Sequence, residues 1–298
     1  MARDVMSSIE RYVDKLDKAE SAVDKASSPA SAERVSGAGD GCSAADRKTQ
    51  QEVNIDFSQL QGAGMLTLDD AKSQLAEEYR AIKRPLLKNA FGQGIHEIPR
   101  GNLIMVTSAL PGEGKSFTAI NLAISMAMEM DRTVLLVEAD LAKPSICRYF
   151  GIPSPSLGLV DYLARPELKL SEVLLKTNAP KLTLLTAGGR NPASAELLNS
   201  QKMREFMDEL SSRYTDRVVI FDSPPLLLSA EAIILSTFMG QILLVIEAGK
   251  TPQSIVKEAL ALLDQNQMIG VVLNKNKTAA KYSYGYYGGY GYGAEQGA

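Results

Sequence analysis

Three short stretches of this chain put phosphate-binding and acidic residues where apolar strands should end. The first reads Ala109-Leu110-Pro111-Gly112-Glu113-Gly114-Lys115-Ser116 and is followed by Phe117. Small residues at this spacing let backbone N–H groups turn inward around phosphate oxygens. Lys115 would reach the β- and γ-phosphates, the Ser116 hydroxyl would meet Mg²⁺, and the N-terminus of the next helix would face the anion. Ala109 stands where the usual pattern has its first Gly, a difference of one methyl group. The second stretch is Val218-Val219-Ile220-Phe221-Asp222-Ser223-Pro224-Pro225. An apolar strand ending in Asp222 places a carboxylate at the C-terminal edge of a sheet, where it can hold Mg²⁺ directly or through water. The third, Val134 to Asp140, runs into two acids, Glu138 and Asp140. A spacing of two on an extended backbone sends both to the same side. Beside phosphates they would share metal coordination and acceptance of a hydroxyl proton; taken alone, they are a solvated strand-end turn.

Positioning these residues takes a sheet, and the sequence has the pattern of one. Leu103–Thr107, Thr133–Val137, Leu182–Leu185, Val218–Phe221, Ile242–Ile246 and Ile269–Leu273 read as strands apolar on both faces. Thr118–Met130, Glu196–Leu210, Ala230–Phe238 and Ser254–Gln265 read as the helices between them. That alternation predicts one α/β domain over residues 67–276, a mostly parallel sheet with helices on both faces. Ahead of the first strand, a helix starts near Thr67–Asp70 and carries Leu75, Tyr79, Ile82 and Leu86 until Pro85 and Asn89 loosen it.

The flanks differ in kind. Residues 1–66 contain 11 Leu, Ile, Val or Phe, too few to bury a core, and 21–50 read as a flexible linker. Before it, Val5, Ile9, Tyr12, Val13, Leu16 and Ala19 recur at helical spacing, either as a short solvated helix or as a docking helix for a partner. Residues 277–298 hold the run YSYGYYGGYGYG, with six Tyr and five Gly and no aliphatic residue, and are expected to be disordered.

Composition narrows the function classes. Of 298 residues, 45% are hydrophobic and 22% charged, which excludes collagen, mucin and whole-chain disorder. Residues 1–66 carry 8 basic and 11 acidic side chains, leaving 24 of each elsewhere; a neutral body argues against a nucleic-acid surface. No apolar run is long enough to cross a bilayer and no secretory leader is evident, so the chain reads as cytoplasmic. Cys42 and Cys147 are too few for a disulfide framework or a four-ligand zinc site. A single histidine, His96, excludes multi-His metal sites and reads as a loop residue.

The phosphate loop, the second acidic strand end, the Phe-Asp-Ser-Pro-Pro stretch and the tyrosine cluster together resemble the bacterial tyrosine kinases, in particular autokinases encoded with exopolysaccharide and exosortase loci. The resemblance runs from about Ser73 to the C-terminus. It implies a P-loop NTPase fold, use of ATP and Mg²⁺, and autophosphorylation of Tyr282, Tyr284, Tyr286, Tyr287, Tyr290 and Tyr292. It assigns Ala109 to Phe117 to ATP, with Asn274 at the adenine edge, and Ser116, Asp140 and Asp222 to the metal. Lys115, Asp140, Glu138 and Asp222 become the catalytic set, with Asp140 or Glu138 as proton acceptor. The family's second acidic motif begins with Asp, where this chain has Glu138; if Glu138 does the same job, Glu138→Asp should keep or raise activity. The family's oligomerisation motif matches Glu77 and Arg80, with Lys83 in the place of a second Arg; Lys lacks the bidentate fork, so Arg84 is a substitute. Implied partners are further copies of the chain in a ring with phosphorylation between subunits, a membrane-spanning polysaccharide co-polymerase that brings the enzyme to the inner face of the membrane, and a phosphotyrosine phosphatase.

Two other functions compete. A Min/Par-type ATPase switch shares the sheet, the phosphate loop and both acidic ends, but its hallmark Lys falls at Leu110. A scaffold whose tyrosine-rich tail stacks on a partner would not need intact phosphate and metal ligands.

Overall fold

The six apolar runs do become strands, and they form the middle and one edge of an eight-stranded sheet. The computed structural model describes residues 51–92, 98–213, 216–264 and 266–276. The proposed N-terminal helix, the linker, His96 and the tyrosine cluster lie outside the described residues. In chain order the elements are β1 (Gln51–Val53), α1 (Phe57–Gly62), α2 (Gln74–Phe91), β2 (Leu103–Ser108), α3 (Lys115–Ala127), β3 (Thr133–Glu138), α4 (Ile146–Phe150), α5 (Leu159–Ala164), α6 (Leu170–Val173) and β4 (Leu175–Thr177). There follow β5 (Leu182–Leu185), α7 (Ser194–Leu198), α8 (Gln201–Ser212), β6 (Arg217–Asp222), α9 (Ala230–Ser236), β7 (Gln241–Glu247), α10 (Gln253–Ala261) and β8 (Met268–Asn274). A 3₁₀ turn at Leu226–Leu228 lies between β6 and α9.

The strand order is β1-β4-β5-β3-β6-β2-β7-β8, parallel throughout except for β4 against β5. Side chains alternate between two cores, as strand geometry requires. Ile104, Val106, Val134, Leu136, Val218 and Ile220 face one side, with α2, α3 and α4. Leu103, Met105, Leu135, Val137, Val219 and Phe221 face the other, with α5 through α10. The topology brings β3, β6 and β2 side by side, in register Glu138↔Asp222 and Val106↔Asp222. All three acidic and phosphate-loop segments therefore leave the same edge of the sheet.

Three expectations are corrected. Residues 51–66, placed outside the domain by the sequence reading, belong to the fold: β1 pairs with β4, and Ile55, Leu60, Met65 and Leu66 are buried. Five of the 11 Leu, Ile, Val and Phe residues of 1–66 fall after residue 52, a density that averaging over the whole flank conceals. Pro85 does not loosen the helix, since α2 runs through it to Phe91. Pro85 and Ala81 are both exposed, so the carbonyl that loses its intrahelical donor faces water. The helix expected over Glu196–Leu210 is two, because the Ser200 hydroxyl accepts a hydrogen bond from the Met203 N–H and starts α8 afresh.

The segment from Gln51 to Leu66 also ties distant parts together. The Asn178 amide bonds both backbone groups of Ile55, the Asp56 N–H donates to Phe150 O, and the Leu66 N–H donates to Asn121 on α3 at 2.6 Å. A chain starting at residue 67 should thus melt well below one starting at 51. Four buried side chains are lost, at about 1.5–3 kcal/mol for each large one, which lowers the midpoint by upwards of about 10 °C. Equal midpoints by differential scanning calorimetry would refute the strap.

Candidate active site

The phosphate loop owes its shape to two glycines in the left-handed region, Gly112 (φ 83°) and Gly114 (φ 102°). At Gly114 a Cβ would also stand 1.9 Å from Asn274 Nδ2, so nothing larger fits. Gly114 is the N-cap of α3, and Lys115 and Ser116 open that helix. Pro111 and Gly112 are exposed, Leu110 packs partly on the α5–α10 side, and the Phe117 ring packs towards α2.

Lys115 meets both expected acids. Its Nζ lies 2.6 Å from Asp140 Oδ2 and 3.7 Å from Asp222 Oδ1, and all three side chains are largely buried. Burial would lower the Lys115 pKa, but the Asp222 and Asp140 carboxylates outweigh it and hold the ammonium above its usual range. Asp222 is fully buried, and that desolvation pushes its pKa up to about 6 against the pull of Lys115. Neither oxygen of its carboxylate has a hydrogen-bond partner. A buried acid needs a compensating cation; the Lys115 ammonium at 3.7 Å supplies one, and Ser116 stands beside the carboxylate. The backbone is locked as well, since Ala139 and Asp140 both donate N–H to Asp222 O.

Glu138 and Asp140 do not act as a pair. Asp140 faces Lys115 and also accepts the Lys143 N–H at 3.0 Å. Glu138 turns away: Oε1 accepts from Ser145 and Ile146, and Oε2 from Ala187 at 3.2 Å. The strand ends at Glu138, so the alternation expected of an extended backbone stops before Asp140. Among the described residues, no group of three or more His, Cys, Asp or Glu side chains closes around one point.

Asn274 is engaged by protein groups. Its Nδ2 donates to Glu113 O at 2.8 Å and its Oδ1 accepts from Lys275 N, which sets it against the phosphate loop. Glu113, buried, turns its carboxylate inward to the Leu110 N–H at 2.6 Å and to Thr251. Lys275, which the sequence did not single out, donates to Gly112 O at 2.6 Å. No motif marks it; a Lys after a strand-end Asn is an ordinary turn residue.

On α2, Glu77 and Arg80 are ion-paired on the surface, and Arg84 is exposed. Lys83 is not available for a subunit contact. It is buried, with Nζ on Ser125 O at 2.8 Å and on Glu129 at 2.5 Å. At Lys83 the helix faces α3, so the third place of the motif serves the core.

No protein-family model matches the chain. Among curated proteins it is similar to the tyrosine-protein kinase YwqD of Bacillus subtilis, 35% identical over 227 residues, covering 75% of this chain and 91% of that one. It is similar to the putative tyrosine-protein kinase CapB of Staphylococcus aureus, 30% identical, covering 74% and 93%. Among solved structures it resembles the kinase domain of the Escherichia coli tyrosine kinase ETK, with TM-score 0.59 and 25% identity, covering 74% and 93%. These likenesses favour a tyrosine kinase over the ATPase-switch alternative. The chain belongs to the bacterial tyrosine kinases and is a protein-tyrosine kinase built on the P-loop NTPase fold.

Proposed function

We propose that this kinase moves the γ-phosphoryl group of ATP onto its own C-terminal tyrosines and serves exopolysaccharide synthesis or export. The observation that carries this reading is the convergence of Lys115, Asp140 and Asp222 at the phosphate loop. Backbone N–H groups of residues 112–116 and the Lys115 ammonium hold the ATP phosphates. Ser116 and Asp222 fit Mg²⁺, with Asp140 near; a set of few protein ligands suits an ion that keeps waters and takes substrate phosphates. When bound, Mg²⁺ would neutralise charge developing on the transferred group.

A tail tyrosine attacks the γ-phosphorus in line. The bond to the β–γ bridging oxygen breaks, and ADP leaves with that electron pair. The phenol, with a pKa near 10, needs an acceptor for its proton. Asp140 is the better placed of the two candidates. Its Oδ2 is released when Lys115 swings to the phosphates, whereas both oxygens of Glu138 are engaged by backbone.

The acceptors we assign are Tyr282, Tyr284, Tyr286, Tyr287, Tyr290 and Tyr292, and the route is between subunits joined through the exposed Glu77, Arg80 and Arg84 face. An extended chain spans at most about 3.3–3.6 Å per residue, so the segment from Leu273 to Tyr282 reaches about 30 Å. Each phosphotyrosine adds about −1.5 to −2 charges, which repel one another and the acidic pocket, so the ring loosens until a phosphatase resets it. Among the described residues no helix is long and apolar enough to cross a membrane. A membrane-spanning co-polymerase would then supply the anchor.

The test mixes a Lys115→Met protein with an active protein lacking residues 277–298, in Mg-ATP. Phosphate should appear on the Lys115→Met tail. A blank tail, with the intact wild type phosphorylating itself, would sink transfer between subunits.

A further inference from the structure

Two described residues other than glycine have a left-handed backbone, Arg100 and Lys275, and Lys275 (φ 59°) sits against the phosphate loop. That conformation is uncommon for a side chain of this length and persists only where surroundings hold it. The surroundings are polar and directional. Lys275 Nζ donates to Gly112 O at 2.6 Å and lies 3.1 Å from Glu247 Oε2; Asn274 Nδ2 donates to Glu113 O at 2.8 Å. The Ala248 N–H closes the corner on Asn274 O.

From this geometry we infer that Lys275, held by Glu247 and assisted by Asn274, is a positioning residue that aims the phosphate loop's amides at ATP. The inference rests on the nucleotide reading of the loop given above. In a trans peptide the C=O and the following N–H point in opposite directions. Pinning Gly112 O outward therefore turns the Glu113 N–H inward, and pinning Glu113 O outward does the same for the Gly114 N–H. The end of β8 thus fixes two successive peptide planes from behind, at a glycine-rich turn whose own torsions do not fix them. Glu113 adds a third tie, since its carboxylate takes the Leu110 N–H and the Thr251 hydroxyl and keeps that N–H out of the cradle. Lys suits the role because its three ammonium donors serve a carbonyl and a carboxylate at once.

The test measures ATP and ADP binding together with phosphotransfer to a tail peptide. Loss of a charge-assisted hydrogen bond from this partly exposed lysine should make Lys275→Met bind both nucleotides about tenfold more weakly. The rate at saturating ATP should change by less than about twofold and the melting point of the nucleotide-free protein should fall by only a few degrees, because the main effect lies in aiming amides at phosphate. Lys275→Arg should recover most of the affinity. Glu247→Gln separates positioning from simple charge. If Glu247 anchors the lysine, its loss weakens ATP binding, and adding it to Lys275→Met costs nothing further. If Lys275 acts only as a positive charge near the nucleotide, removing the opposing carboxylate tightens ATP binding, and the inference is overturned. Unchanged affinity in Lys275→Met, with the wild type binding normally, also overturns it. A wild type that takes up no ATP would overturn the nucleotide reading itself.

Discussion

Replacing Lys115 with Met should cut tyrosine phosphorylation by at least about 10²–10³-fold, the usual cost of removing one preorganised electrostatic contact to the transferring group. The side chain has no other work that a Met stem would fail to do. It opens α3, its stem lies between the sheet edge and the loop, and its ammonium meets only carboxylates and the neighbouring Ser116 hydroxyl. The variant should fold, with a pH signature. Without the ammonium, the fully buried Asp222 loses its main charge-stabilising neighbour, so its pKa rises above the present value of about 6. A carboxyl whose pKa is higher folded than unfolded binds more protons in the folded state. Stability therefore rises as pH falls through the folded pKa. Lys115→Met should melt higher at pH 6 than at pH 8, by more than the wild type does. Wild-type phosphorylation would sink the assignment of Lys115, and a flat pH dependence would sink the coupling to Asp222.

What the sequence made legible was whatever had a long period or a dense motif. The buried strands β2, β3, β5, β6, β7 and β8 are continuous apolar runs, and each was readable to within two residues. β1 and β4 were not, because three-residue strands such as Gln51–Val53 have no period to detect and exist only through pairing. The same holds for α4 and α6, at five and four residues, where tertiary contacts outweigh local preference. At the site, Lys115, Asp140 and Asp222 followed from chemistry attached to strand ends, and the structure brings them together. The errors came where a residue type has two uses. A Lys on a helix can serve a surface or, like Lys83, a buried cap on the carbonyl of Ser125. Asn274 at a strand end can read a ligand or hold a loop, and its 2.8 Å contact to Glu113 O shows the second of these uses.

Glu138 is the strongest case of this ambiguity, and its substitution should reverse the order that the motif alone suggests. The motif equates Glu138 with an Asp that works on the phosphates, so Glu138→Asp should be active and Glu138→Ala strongly slowed. The structure gives the carboxylate a different task. It is 1% exposed and accepts three backbone N–H groups, two at the start of α4 and one beyond β5. It thereby ties together the loop that carries Lys143 and the turn at Ala187, on both flanks of Asp140. An Asp at this position is one methylene short and cannot span both groups. Each buried N–H left without a partner costs about 1–3 kcal/mol, so Glu138→Asp should lose roughly 2–5 kcal/mol and melt about 5–15 °C lower, close to Glu138→Ala. Glu138→Gln should sit between them and the wild type, because its amide oxygen can still serve Ser145 and Ile146 while its NH₂ opposes the Ala187 N–H. Activity should follow the same order, Gln above Asp and Ala, measured at a temperature where all three are folded. A base or a metal ligand would give the opposite result, an active Asp variant with an unchanged midpoint and an inactive, fully stable Gln variant. That outcome would return Glu138 to the catalytic set and leave the three N–H contacts without functional weight.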